Sequence, residues 1–341
     1  MILSGVVMAV LALFGAPLFV LIAGGAMLGY LRSDIELSAI GIEIFGIAEM
    51  PILLAIPLFT FAGYILSESN APHRLVRVTN ALMGWLPGGL AIVAIVACSF
   101  FTAFTGASGV TIIALGALLY PALQQSGYSD KFNLGLLTAG GSLGLLFAPS
   151  LPLILYGVVA EVSIDELFLA GIIPGVLMMV MMAAYCLWVN RHNRKPIGDF
   201  SLREVFGALR EAMWEIPLPV IVLGGIYSGY LAVSEAAAVT ALYVIVVEVF
   251  IKREISLRAL PGIVRESMVL VGGILLILGA SLASTNYMID AEVPQQLMGV
   301  VSSMVSDRTS FLVLLFLFLL VLGAILDIFS ALVLVVPLIL P

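Results

Sequence analysis

Apolar residues in this chain fall into long uninterrupted blocks, with the polar residues gathered into short intervals between them. Strict alternation, which would argue for strands, is absent, and most blocks are too long for the stripe of a surface helix. A helix that crosses a hydrocarbon core needs about 20 apolar residues. Blocks of that order occupy residues 6–31, 51–66, 90–123, 132–159, 167–189, 216–251, 268–287 and 311–341. The first contains Pro17 and several glycines, which lipid-embedded helices tolerate, and is read as a single retained span. The mixed segment 38–49 is expected to lie along a membrane surface. Residues 67–87 form a polar stretch with His73, Arg74 and Arg77, and 294–305 is amphipathic.

One block is too long for a single crossing. Residues 90–123 number 34, about 51 Å as a straight helix against a core of about 30 Å. The run is interrupted midway by Thr105-Gly106-Ala107-Ser108-Gly109. Split there, each half is expected to be too short to cross, so a re-entrant hairpin accounts for both facts. Open backbone at such a tip is tolerated only where protein or a water-filled cavity surrounds it. The block 132–159 is expected to cross once, broken at Gly140-Gly141-Ser142 and again at Pro149-Ser150-Leu151-Pro152. The block 216–251 is read as a hairpin turning near 228–235, and 311–341 is apolar apart from Asp327 and Ser330.

Charge supplies direction. Arg191, Arg194, Lys195, Arg203 and Arg210 crowd one interval, and Lys252, Arg253, Arg258 and Arg265 another. The positive-inside rule places both in the cytoplasm. Glu161, Asp165, Glu166, Asp290 and Glu292 then fall outside. Five crossings separate Lys131 from the last block, so that block enters from the face opposite to the first hairpin. Leu82-Met83-Gly84 recurs 215 residues on as Leu297-Met298-Gly299, and Pro121 is matched 216 residues on by Pro337. Together with the reversed entry, these read as an inverted-topology repeat, an organisation common among secondary transporters.

Composition agrees with a membrane solvent. Of 341 residues, 62% are hydrophobic and 10% charged, with a mean hydropathy of +1.21. Soluble domains carry about 25% charged residues. The net charge of −7 leaves no basic surface for nucleic acid. Cys98 and Cys186 lie in apolar runs and read as buried small hydrophobes. The expected fold class is an all-α polytopic membrane protein with an inverted-topology repeat, re-entrant helical hairpins and broken helices.

Several of these segments are similar to one family. Thr105-Gly106-Ala107-Ser108-Gly109-Val110-Thr111 with Gly116 and Pro121 resembles the first hairpin of the large membrane subunit of tripartite ATP-independent periplasmic (TRAP) transporters. Gly140-Gly141-Ser142-Leu143-Gly144, continuing through Pro149-Ser150-Leu151-Pro152 to Tyr156-Gly157, is similar to that family's following broken helix. Ser234-Glu235-Ala236-Ala237-Ala238 resembles its Thr-Glu-Ala segment, and Leu326-Asp327 with Ser330-Ala331 and Pro337 its second hairpin. Thr105 and Ala107 replace serines common at the family's tip. The resemblance implies sodium-coupled, elevator-type uptake of a carboxylate-bearing solute across the bacterial inner membrane. It also implies a periplasmic binding protein and a small membrane subunit as partners. On this reading residues 1–88 are scaffold helices and an interfacial arm, and 89–163 the first transport half. Residues 164–309 are connecting and second scaffold helices, and 310–341 the start of a second hairpin that is C-terminally incomplete.

The residue types suit that chemistry. Sodium wants several oxygens, and unwound backbone offers carbonyls without a formal charge in lipid. The expected ion and solute residues are Thr105, Gly106, Ala107, Ser108, Gly109, Thr111, Gly140, Gly141, Ser142, Gly144, Pro149, Ser150, Asp327 and Ser330. One sodium is placed by carbonyls near 105–109 and 140–144, helped by hydroxyls of Ser108, Thr111 or Ser142. A second is placed by Asp327 and Ser330. Half-helix N-termini would receive the solute's carboxylate. No further cofactor is expected. Small-residue clusters also serve plain helix packing, and Asp327 could instead sit at a tip reaching interfacial water. Glu235 and Glu248 are expected at solvated helix ends. Two rivals are a standalone sodium–carboxylate symporter or antiporter and an intramembrane serine protease using Gly106-Ala107-Ser108-Gly109. The protease lacks a base, because His73 and His192 fall in polar intervals.

Overall fold

A block of apolar residues with no charge can be buried on most of its sides, and residues 89–105 are, with only the face of Ile92, Val96, Phe100 and Phe104 left partly open. In a computed structural model, Gly89–Thr105 (α6) is a helix with most of its residues buried. The structure describes residues 2–86, 88–191, 200–293, 295–296, 299 and 307–339. The other helices are Ile2–Leu13 (α1), Leu18–Arg32 (α2), Ser38–Ala48 (α3), Ala55–Glu68 (α4), Ala71–Met83 (α5), Ser108–Gln125 (α7), Asp130–Leu143 (α8) and Leu151–Val159 (α9). They continue as Ile164–Val189 (α10), Leu202–Glu211 (α11), Pro217–Tyr227 (α12), Val233–Ile245 (α13), Leu260–Asp290 (α14), Arg308–Ile325 (α15) and Ile328–Ile339 (α16). Among the described residues there is no strand.

Among the described residues, five stretches are long and apolar enough to cross a membrane: Pro51–Glu68, Ser108–Gln125, Ile164–Val189, Val233–Ile251 and Leu260–Asp290. The bent pair Asp130–Leu146 with Leu151–Val159 makes a sixth if it is one span. Side chains such as Ile173, Trp188 and Phe316 stand exposed on helices with few charges, as lipid-facing positions do. The multi-pass, all-helical reading therefore holds.

The chain forms two units. In the larger one, residues 54–154 and 162–269, α6 is the centre, packed by α4, α5, α7, α8 and α10. α4 also packs along α13, and α12 and α13 form the expected hairpin, turning at Gly229. α7 offers α6 a single stripe, Thr111, Leu115, Leu119 and Leu123, at a spacing of four residues. In the smaller unit, Tyr30 of α2 donates to the Ala283 carbonyl of α14 (2.9 Å) and meets Tyr287 edge to face. Ser281 of α14 donates to the Val333 carbonyl of α16 (2.8 Å).

Four expectations are corrected. Residues 6–31 are not one span: α1 ends at Leu13, Gly15 takes a left-handed φ of 80°, and α2 restarts after Pro17. Met8 then lies against Gly24, so α1 folds back on α2. The halves of 90–123 are 17 and 18 residues long, because α7 extends through Gln124 and Gln125. α7 could span a bilayer by length, so length does not make the pair re-entrant. Gly140-Gly141-Ser142 is not a break, since all three are helical within α8. The helix tightens to a 3-10 turn only at Gly144–Leu146.

Glu248 is the fourth. It is fully buried, not solvated, and sits 3.4 Å from Arg74 in a cluster that also holds Glu215, Glu254 and Lys252. The helix widens to a π turn over Val246–Ile251, which carries Glu248 into this cluster. Arg74, 6% exposed, lies 2.6 Å from Glu215 and 2.5 Å from Glu254. Within the expected polar stretch, α5 is therefore a two-faced helix with a buried guanidinium. The recurrence Leu297-Met298-Gly299 falls largely outside the described residues, as do His192, Arg194 and Lys195.

Burial alone would raise the Glu254 carboxyl, but the Arg74 guanidinium and the Asn70 amide outweigh it and hold it below the usual carboxylate range. A depressed folded-state pKa gives stability that is complete above the unfolded value, about 4.3, and is lost as pH falls through the folded value. The unfolding temperature in detergent should thus fall as the pH drops below about 4.5, and less steeply in Glu254→Gln. Equal acid sensitivity in that variant would assign the loss to other carboxylates.

Candidate functional site

The break after α6 has a backbone cause. Gly106 takes a φ of 64°, a left-handed value that side chains resist, and its N–H closes the helix on the Thr102 carbonyl at 2.8 Å. Ala107 is extended, and α7 begins at Ser108. The chain reverses here: Thr102 donates to the Thr111 hydroxyl at 2.8 Å, although nine residues separate them. In a continuous helix that separation would be about 13 Å.

Three buried hydroxyls meet inside the reversal. Thr105 Oγ1 lies 3.1 Å from Thr111 Oγ1 and 3.4 Å from the Ala107 carbonyl, and Thr102 completes the group. Ser99 follows the same helix face one turn earlier; its buried hydroxyl has no partner among the described residues. Thr102 and Ser99 are absent from the sequence-based set. Their signal was present as the spacing 99, 102, 105, one face of a helix repeated every three residues.

The elements around the tip approach at glycine. A methyl on Gly106 would lie 2.3 Å from Leu151 Cγ, at the start of α9. On Gly144 it would lie 2.2 Å from the Ser99 carbonyl oxygen and 2.5 Å from Thr102 Cβ. On Gly141 it would lie 3.5 Å from the Ser108 carbonyl oxygen, and on Gly63 of α4 2.5 Å from Thr105 Cα. Gly140 faces Cys98 on α6. Thr105, Gly106, Ala107, Ser108, Thr111, Gly141, Gly144 and, next to Leu151, Ser150 are thus gathered about one reversal, whereas Gly140 packs earlier along α6, against Ile95 and Cys98. Gly140 and Gly141 serve as packing surfaces within a helix, not as unwound carbonyls. Gly109 stands exposed beside the tip, with open space where its side chain would be.

After the 3-10 turn the chain passes a cis Ala148–Pro149 peptide, and the buried Ser150 hydroxyl donates to the Leu145 carbonyl at 2.6 Å. α8 with its 3-10 turn and α9 meet at 48°. Ser142 differs: it is exposed, and its hydroxyl donates to the Thr138 carbonyl of its own helix. The second break, Leu326–Asp327, lies in the other unit. There Asp327 is exposed and caps α16, accepting from the Phe329 and Ser330 amides at 3.0 and 3.2 Å and from the Ser330 hydroxyl. Capping uses three of its roughly four lone-pair sites. Glu235 holds the Ala232 amide at the turn into α13, as the reading of a turn expects.

Chemically, a reversal of this kind sets the carbonyl end of one helix beside the N–H end of another. The first favours a cation and the second an anion. No group of three or more His, Cys, Asp or Glu side chains among the described residues could hold a multivalent metal.

Residues 5–341 match the sequence model of the DctM component of the tripartite ATP-independent periplasmic transporter. The isethionate TRAP transporter permease protein DctMQ of Oleidesulfovibrio alaskensis is 32% identical over 85% of this chain and 46% of its own length. The ectoine/5-hydroxyectoine TRAP transporter large permease protein UehC of Ruegeria pomeroyi is 34% identical over 86% of this chain and 70% of its own. The C4-dicarboxylate TRAP transporter large permease protein DctM of Pseudomonas aeruginosa is 32% identical over 93% and 74%. The chain thus spans between about half and three quarters of the length of these relatives. The match runs through both broken segments and the helices between them, and the chain belongs to the DctM component family of TRAP transporters.

Proposed function

We propose that the chain is the membrane-spanning core of a sodium-coupled importer for a small organic anion, working with a small membrane subunit and a periplasmic binding protein. Family membership supports the subunit role, and the fused name DctMQ of one relative fits a second membrane component. Isethionate carries a sulfonate, while ectoine and the C4-dicarboxylates carry carboxylates, so an anionic group is common to the solutes in the relatives' names. The observation that carries the reading is the first reversal: three buried threonine hydroxyls at the meeting of two helix ends, with the Ser99 hydroxyl, unpartnered among the described residues, farther back along α6.

In this reading sodium is cargo, held by carbonyls of 105–108 with the Thr105 and Thr111 hydroxyls, while the α7 N-terminus faces the solute's anion. A second ion belongs beside Asp327 and Ser330, with further ligands from elsewhere in the assembled transporter. The hairpins enter from opposite faces as an inverted repeat and move as an elevator, in the inner membrane with the basic intervals inside.

The test is uptake into proteoliposomes holding the full-length subunit, its small subunit and the binding protein, screened over organic acids with and without a sodium gradient. Uptake should require sodium, and Thr111→Val should raise the half-saturating sodium concentration at least about tenfold, the scale of one lost charge-assisted contact. Sodium-independent uptake would remove the coupling. Equal uptake without the binding protein and small subunit would favour a standalone symporter.

A further inference from the structure

Helix α11 presents two different faces. Val205 and Ala208 are buried where it packs on α5, whereas Leu202 and Phe206 point outward, Phe206 being 70% exposed. Just before it, Phe200 meets Trp85 edge to face, and both rings are exposed. The acids of α11 are already matched: Arg77 of α5 pairs with Glu204 at 2.9 Å and with Glu211. Arg203 and Arg210 are exposed and form no ion pair among the described residues. What remains outward is an apolar, aromatic face with uncompensated positive charge, the combination that settles into a lipid interface.

Beneath α11 lies a cavity of about 320 Å³. Leu75 and Leu82 of α5, Phe100 and Phe104 of α6, and Leu209 of α11 line it, with Ala212 just beyond. Arg210 therefore follows one wall residue, Leu209, and lies two positions before another, Ala212. Thr79 and Glu215 also border it, but nearly all of the wall the cavity exposes is apolar, and such a cavity takes apolar occupants. A helix, about 10–12 Å across with its side chains, is too wide for that volume, but a single hydrocarbon chain is not.

We infer that α11 and this cavity form a site for one anionic phospholipid. One acyl chain occupies the cavity, Arg203 and Arg210 hold the phosphate and headgroup charge, and Trp85 and Phe200 lie at headgroup level. Guanidinium groups suit this role because their forked donors match phosphate oxygens.

The test uses the purified full-length protein and two lipids with identical chains, dioleoylphosphatidylglycerol and dioleoylphosphatidylcholine, read by competition in native mass spectrometry. An anionic preference of about twenty-five-fold is expected, about fivefold for each of the two arginines near the headgroup. Arg203→Gln with Arg210→Gln, both at exposed positions, should abolish the preference while lipid of either kind is still retained. Ala212→Leu, which fills the cavity, should lower retention of both lipids. Equal retention of the two lipids by the unaltered protein would overturn the site, as would an undiminished preference in the double-arginine variant. Efficient cross-linking of Phe206→Cys to the small subunit in the assembled complex would overturn it in favour of a protein partner.

Discussion

Alanine at Gly144 should prevent the larger unit from closing around its central helix. The added methyl would sit 2.2 Å from the Ser99 carbonyl oxygen and 2.5 Å from Thr102 Cβ, both belonging to a helix packed on several sides. Overpacking a yielding core costs about 1–3 kcal/mol; here the obstacle is backbone, so a loss of at least about 3 kcal/mol is expected. Gly116→Ala is the matched control. It lies in α7 with open space around it, and alanine there should be neutral or stabilising by up to about 1 kcal/mol. Thermal unfolding of both variants in detergent separates the cases. A Gly144→Ala protein as stable as Gly116→Ala would mean that α8 and α6 are not in this contact.

Removing the Arg74 guanidinium has a comparable expected effect. Arg74→Met leaves Glu215, Glu248 and Glu254 with Lys252 as their remaining basic neighbour in the cluster. Breaking a buried ion pair by deleting one partner costs about 3–5 kcal/mol, because the surviving charge has lost its solvent and its counter-charge. Replacing both sides at once is far milder. Arg74→Met combined with Glu248→Gln and Glu254→Gln should therefore recover much of the lost unfolding temperature. No recovery in the triple variant would show that Arg74 acts through the packing of its stem instead of its charge. Because Glu215 and Lys252 flank one hairpin and Arg74 sits on α5, the cluster fastens these elements together. A destabilised cluster should therefore increase proteolysis near 212–216 and 252–256 first.

The break at Gly106 was readable because a run of 34 apolar residues cannot cross once as a straight rod, and glycine marked where it turns. The second break at Leu326–Asp327 was expected only from the family resemblance, since one carboxylate in an apolar run does not by itself mark a turn; that Asp327 caps the following helix is visible only in the structure. Residues 6–31 misled because glycine and proline inside a membrane run are compatible with both a kinked span and a reversal. Only the contact between Met8 and Gly24 decides between the two. Gly140 and Gly141 misled in the opposite direction. Small residues signal close approach and flexible backbone alike, and α6 with α7 uses them for approach. Glu248 was misplaced because four residues separate it from a basic interval, which along the chain looks like a solvated end. Its partner Arg74 lies 174 residues away.

By itself the sequence determined the solvent and the local geometry. Its apolar block lengths required a membrane, and the over-long run with Gly106 at its middle located the first break, because backbone dihedrals and hydrocarbon thickness act on neighbouring residues. Tertiary structure decided which groups answer one another: three threonines across one reversal, glycines as seats for neighbouring helices, and an arginine among glutamates from distant segments. Those pairings depend on which helix faces meet, and burial sets their energies. Neither is a property of any single stretch of chain.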